Sequence, residues 1–133
     1  MMFPRIVLLV SASVFAFFGA WAATFPEGQV SLVDVRVPTP TARADVRAQY
    51  GGFTVGFAVF LYACFTRRAW TAFGLLASAC TLGGFALARL TSAILDGPVS
   101  ATIYYLALSE GVGAILSAVG WRIATKHAEE KTA

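Results

Sequence analysis

Histidine occurs once in the 133 residues, cysteine twice, and charged side chains make up only 13% of the chain. Each shortage removes a class of chemistry. Zinc and haem sites need several His, Cys or carboxylate ligands converging on one point. The single histidine, His127, stands in the polar C-terminal stretch and reads as a solvated residue, so no metal and no cofactor are expected. Cys64 and Cys80 each lie inside an apolar run, without a C-x-x-C pair for redox exchange, and read as small packing residues. Nucleophilic catalysis needs an activated Ser, Cys or Lys beside a base, and no serine here has a histidine that a bundle would bring to it. The net charge of +3 comes with no basic run beyond Arg67-Arg68, so nucleic acid is not an expected partner.

Soluble domains average about 25% charged residues. At 13% charged and 58% apolar, this chain does not have water as its main solvent. What it has in abundance is uncharged runs of about 20 residues, the length a helix needs to cross the roughly 30 Å hydrocarbon layer. The first runs from Ile6 to Phe25, after Arg5 and before Pro26-Glu27-Gly28. The second runs from Ala48 to Thr66 and is closed by Arg67-Arg68. The third opens at Ala69, passes Arg89 and ends at Leu95, where Asp96-Gly97-Pro98 breaks the helix. The fourth extends from Val99 to Trp121 and carries one charge, Glu110. Trp21, Trp70, Tyr104, Tyr105 and Trp121 fall near the ends of these runs, as interfacial rings do.

The expected fold is all-α: a single domain over 1–133, an integral membrane up-down bundle with spans at 6–25, 48–66, 69–95 and 99–121. An outer loop at 26–47 and a tail at 122–133 complete it. Within the loop, Val33 to Val37 alternates apolar and charged residues and predicts a short extended stretch before Pro38-Thr39-Pro40, after which Thr41 is the expected cap of a helix leading into the second span. A rival reading takes Met1 to Ala23 as a cleaved signal peptide, but its apolar run exceeds the usual h-region of about 7–15 residues, which favours a retained helix.

Arg5, Arg67, Arg68, Arg122, Lys126 and Lys131 fall on one side of this topology and Arg36, Arg43 and Arg47 on the other. The richer side is expected to face the cytoplasm, with both termini there. Small residues should mediate helix contact, because lipid tails give apolar helices no reason to associate. Gly52 and Gly56 form a G-x-x-x-G in the second span, and Gly84 and Gly113 serve the third and fourth. The Gly52/Gly56 ridge is read first as packing within the bundle, with a homodimer as the sharper alternative; membrane lipids, and a second copy or another membrane protein, are the expected partners.

Charges at bilayer depth cost on the order of 2.5–3.5 kcal/mol each on insertion scales, so they need a reason. Counted at about 1.5 Å per residue from the Asp96 turn, Arg89 lies roughly 10 Å and Glu110 roughly 16 Å below the outer end. A buried or half-buried Arg89–Glu110 pair is expected, with Asp96, Asp45 and Arg47 in a more hydrated cluster above it. The pair reads either as a register clamp or as part of a ligand-binding or relay site.

Asp45-x-Arg47-Ala48-Gln49-Tyr50-Gly51-Gly52, Gly83-Gly84-Phe85-Ala86-Leu87-Ala88-Arg89-Leu90, Asp96-Gly97 and Glu110 together resemble the small bacterial membrane family of domain of unknown function 4345, over roughly Gly28 to Arg122. The resemblance implies a four-helix bacterial membrane protein in which Arg47, Arg89, Asp96 and Glu110 are characteristic, and the inner membrane is the expected location. It implies no activity. The expected function is therefore a non-enzymatic accessory or a small-ligand or lipid-binding bundle with an outward polar pocket at Arg47, Arg89, Asp96 and Glu110. The alternative is an oligomeric proton-coupled transporter with Glu110 as its titrating carboxylate, and an enzyme acting on a lipid comes third.

Overall fold

The computed structural model describes residues 2–130. Its α-helices are α1 (Met2–Thr24), α2 (Pro26–Val30), α3 (Pro40–Val46), α4 (Phe53–Thr66), α5 (Thr71–Leu95) and α6 (Ala101–Glu129). A π-helical segment, Arg47–Gly52, joins α3 to α4, and 3-10 turns cover Ser31–Val33 and Arg68–Trp70. Four rods, Met2–Thr24, Pro40–Thr66, Arg68–Leu95 and Ala101–Ala128, are long and apolar enough to cross a membrane, with mean hydropathies of 2.2, 1.3, 1.6 and 1.4. The chain is an all-α membrane bundle, as its composition requires.

The rods form a ring in which α1 packs on α4, α4 on α5, α5 on α6 and α6 back on α1, with α1 also touching α5 across the middle. The broadest of these contacts is the α5–α6 hairpin. Arg5 near the start of α1 donates from Nη2 to the Phe65 carbonyl near the end of α4 at 3.3 Å, so those two rods run antiparallel. The N-terminus of α1, the 67–70 turn and the C-terminal half of α6 therefore share one end of the bundle, called here the terminal end. The 25–39 connection and the 96–100 turn share the loop end.

Leu8, Ala12 and Phe15 of α1 bury against Ala58, Leu61 and Cys64 of α4, Leu75 of α5 and Ala124 of α6. Helix α1 is thus a structural member of the core, and its loss would uncover Leu61 and Leu75, both 0% exposed. Its approach to the second rod is close enough to exclude side chains. A Cβ on Gly19 would stand 2.8 Å from the Val55 backbone nitrogen, and one on Gly51 would stand 2.9 Å from the Ala23 Cα.

Several expectations need correction. Of the glycines chosen for helix packing, Gly113 does pack, with its would-be Cβ 2.9 Å from Leu82 Cδ1. Gly56 and Gly84 meet nothing within 4 Å, and Gly52 meets only the Arg47 carbonyl of its own helix, at 3.7 Å. Helix phase explains the shift: at 3.6 residues per turn Gly51, seven residues before the buried Ala58, shares its face and meets α1, while Gly52 and Gly56 are turned off that face.

The helix expected to lead into the second span is present and starts at Pro40, but its cap is Thr39, not Thr41. Pro40 holds Thr39 in an extended conformation (φ −117°, ψ 156°), the backbone an N-cap needs, and Thr39 Oγ1 accepts from Ala42 N at 3.1 Å. The extended stretch expected at 33–37 does not start as one. Helix α2 and a 3-10 turn lead to Asp34 in the left-handed region (φ 59°), and only 35–38 lacks helical structure. Val30, Val37 and Val46 bury together here with Ala42 packed against them, and an isolated strand would leave its backbone unpaired. The tail expected from residue 122 continues α6 to Glu129. Of the basic residues assigned to the richer side, Lys131 lies outside the described residues.

Because Gly19 has no space for a side chain, Gly19→Leu should lower stability by about 1–3 kcal/mol through overpacking. Gly56→Ala should be neutral or stabilising by up to about 1 kcal/mol, since it fills open space in a helix. Reversible denaturation in detergent micelles, followed by circular dichroism, separates the two.

Candidate functional site

The α5–α6 hairpin meets along a regular seam. Leu75 lies against Gly120, Ser78 Oγ accepts from Ser117 Oγ at 3.3 Å, and Leu82 lies against Gly113. The α5 members of these layers fall three and four residues apart, which keeps them on one helical face. Arg89 continues that face one heptad beyond Leu82, and Glu110 continues the α6 face one heptad before Ser117. Arg89 Nε and Nη2 donate to Glu110 Oε2 and Oε1 at 2.9 and 3.1 Å, a two-pronged pairing that matches the planar fork to the carboxylate.

The pair forms as expected and is half-buried, not fully enclosed. The Arg89 side chain is 28% exposed and that of Glu110 14%, because the loop-end half of the hairpin outruns the cover of the other rods. There Leu87, Ile94, Leu95, Tyr105 and Leu108 are all exposed. Arg89 sits about 9 Å from the end of α5 and Glu110 about 14 Å from the start of α6. An arginine this near an interface ordinarily extends toward water; this one reaches inward to the deeper carboxylate. Below the pair, the Ser78–Ser117 contact is separated from it by the Leu82–Gly113 layer, so the seam is not a continuous polar path.

Arg47 is elsewhere. Its π segment packs on α1 and α2, and its Nε donates to the Ala23 carbonyl at 3.2 Å. That carbonyl belongs to the last turn of α1, where backbone oxygens lack helical partners and carry partial negative charge. One turn away on α3, Arg43 Nη1 donates to Glu27 Oε1 of α2 at 2.8 Å. Thr24, Phe25, Pro26, Glu27, Gly28, Arg43 and Arg47 line an open groove of about 420 Å³ at this junction. Two guanidinium groups and one carboxylate leave it with an excess positive charge.

The structure therefore divides the pocket expected from the sequence. Arg89 and Glu110 come together on the α5–α6 seam, and Arg47 comes together with Arg43 and Glu27 at the α1–α3 junction. Asp45 is two residues from both arginines and so on another face of α3; Asp96 caps α5, with its backbone N–H on the Ser92 carbonyl at 2.8 Å. Both aspartates are exposed. Their carboxylates have no hydrogen-bond or ion-pair partner among the described residues.

The model of a protein family, domain of unknown function DUF4345, matches residues 3–121. The chain belongs to that family. The match takes in α1, ahead of the Gly28 start of the motifs read from the sequence, and contains every charged residue of both clusters. No curated protein and no solved structure matches the chain.

Sequence reasoning passed over Arg43 and Glu27 as site residues. The signal was available in part, since Arg43 and Arg47 stand four apart behind a Thr39-Pro40 helix start and must share a face. Nothing local to Glu27 indicates that the loop returns it to Arg43.

For the seam pair, Arg89→Ala should destabilise by about 1–3 kcal/mol, the value of a charge-assisted hydrogen bond plus a stranded carboxylate. Arg89→Met with Glu110→Met together should cost less than Arg89→Ala alone, because neither partner is then left unpaired. A double-mutant cycle on unfolding in detergent measures the coupling.

Proposed function

We propose that this protein is a non-enzymatic membrane bundle that binds a small anionic group, a phosphate or carboxylate, in the groove where Arg43 and Arg47 meet Glu27. The observation that carries the reading is the charge balance of that groove, where two arginines line one opening at the helix ends and only Arg43 is paired with a carboxylate. Arg47 spends only Nε on Ala23, which leaves its terminal N–H groups to donate in the forked geometry that phosphate and carboxylate accept. Arg43 holds Glu27 through one oxygen and also keeps donors in reserve.

The distribution of basic residues supports an orientation for this site. Arg5, Arg67, Arg68, Arg122 and Lys126 gather at the terminal end, which by the positive-inside tendency faces the cytoplasm. The groove then opens on the opposite side of the bacterial inner membrane, at headgroup level. An anionic lipid headgroup and a free anionic solute are both recognised by this chemistry. Arg89 and Glu110 serve in this reading as the clamp that fixes α5 against α6, not as the ligand site.

The alternative, proton-coupled transport through Glu110, draws less support. Its carboxylate is held on both oxygens by Arg89, and the apolar Leu82–Gly113 layer lies directly beneath it.

Calorimetric titration of the detergent-solubilised protein with dihexanoyl phosphatidic acid and, separately, with inorganic phosphate tests the proposal. Binding should weaken about tenfold or more in Arg47→Gln and in Arg43→Gln, the loss of one charge-assisted contact, and should be unchanged in Arg89→Met/Glu110→Met. Preference for the lipid over phosphate assigns a headgroup, and the reverse assigns a solute. Equal binding by wild type and the Arg47 variant would defeat the reading, and proton-linked solute flux lost in Glu110→Gln would favour the alternative.

A further inference from the structure

At the terminal end, on the flank between α4 and α5, a second groove of about 350 Å³ is lined by Phe60, Cys64, Trp70 and Phe73. Its origin is the small floor. Cys64 is 1% exposed, and Gly74 lies so close that a Cβ there would stand 2.7 Å from Cys64 Cβ. With little bulk at the floor, the three rings stand up as walls; Phe60, Trp70 and Phe73 are all exposed. An open apolar slot on a helix flank in a membrane is filled by hydrocarbon, and an acyl chain has the section to enter it.

Charge at the mouth of the slot says which lipid. Arg67 places its Cζ 4.4 Å from the Trp70 ring centroid, a cation–π contact that keeps the charge beside the slot while leaving its N–H groups to donate elsewhere. Arg68 follows directly in the 3-10 turn. Neither arginine has a carboxylate partner among the described residues. Two unneutralised cations beside an acyl-sized slot, at the depth where a tryptophan marks the headgroup boundary, complement a lipid with a negatively charged headgroup.

We infer that the α4–α5 flank holds one acyl chain of an anionic phospholipid between Phe60, Trp70 and Phe73, with its phosphate on Arg67 and Arg68. This site is independent of the Arg43–Arg47 groove at the other end of the bundle and stands or falls without it. A lipid held this way differs from the surrounding annulus, which would be exchanged without regard to headgroup.

Trp70 is a reporter built into the slot. Full-length protein carrying Trp21→Phe and Trp121→Phe is reconstituted in phosphatidylcholine vesicles, with increasing fractions of lipid brominated on its chains. Brominated phosphatidylglycerol should quench Trp70 with an apparent affinity about fivefold or more above that of brominated phosphatidylcholine, given the attraction of each arginine for an anionic lipid. Arg67→Gln with Arg68→Gln should abolish the preference and leave the helix content unchanged. Equal quenching by the two lipids, or a preference that survives in the double variant, overturns the inference, as does quenching by neither, which would mean that a protein surface fills the slot. If the tryptophan replacements disturb folding, native mass spectrometry decides on the otherwise unaltered chain: wild type should retain phosphatidylglycerol that Arg67→Gln/Arg68→Gln loses, and equal retention overturns the inference.

Discussion

Helices in hydrocarbon gain nothing by hiding apolar side chains from lipid that is equally apolar, so their association rests on how closely their surfaces fit. In this chain that constraint falls hardest on the contact between α1 and the second rod. Gly19 and Gly51 admit no side chain there, and the resulting approach brings Leu8 and Phe15 onto Ala58, Leu61 and Cys64. The same contact shapes the loop end. The π segment that carries Gly51 against Ala23 begins at Arg47, and Arg47 lies within reach of the Ala23 carbonyl. Packing of the helices and placement of the charged groove are two results of one local geometry.

The second pair of rods follows another rule. Apolar and polar layers alternate along the α5–α6 seam, Leu75 with Gly120, Ser78 with Ser117, Leu82 with Gly113, and the seam ends in Arg89 on Glu110. Such a pair contributes little net stability once desolvation is counted, but it penalises any slipped arrangement that separates the charges. Because the pair is only partly covered, water or headgroups at the loop end reduce the cost of keeping two ions there. The clamp and the groove therefore have distinct physical roles, although both are built from arginine and glutamate.

Composition was sufficient for the bundle itself. The uncharged runs after Arg5 and before Arg67 had to become helices in a membrane, and the Asp96-Gly97-Pro98 break placed the final turn. The Arg89–Glu110 pair was legible because charges in an apolar run are few and their depths can be counted along a helix. The groove was not, since it depends on where a loop returns: Glu27 and Arg43 are 16 residues apart, and no periodicity links them. The packing glycines were half legible for a similar reason. A G-x-x-x-G spacing puts two glycines on one face without saying which neighbour that face meets, and Gly51, in phase with the buried Ala58, takes the contact with α1 instead. The Thr41 cap failed on one residue of chemistry, because Pro40 already prepares Thr39 for that place.

The central claim, that the anion site lies at Arg43 and Arg47 rather than at Arg89 and Glu110, is most directly tested by native mass spectrometry of the protein released from its membrane. Wild type and Arg89→Met/Glu110→Met should both carry the same anionic molecule, and Arg43→Gln/Arg47→Gln should emerge folded without it. Retention of that molecule by the Arg43/Arg47 variant, together with its loss from the Arg89/Glu110 variant, would contradict the account and return the site to the seam.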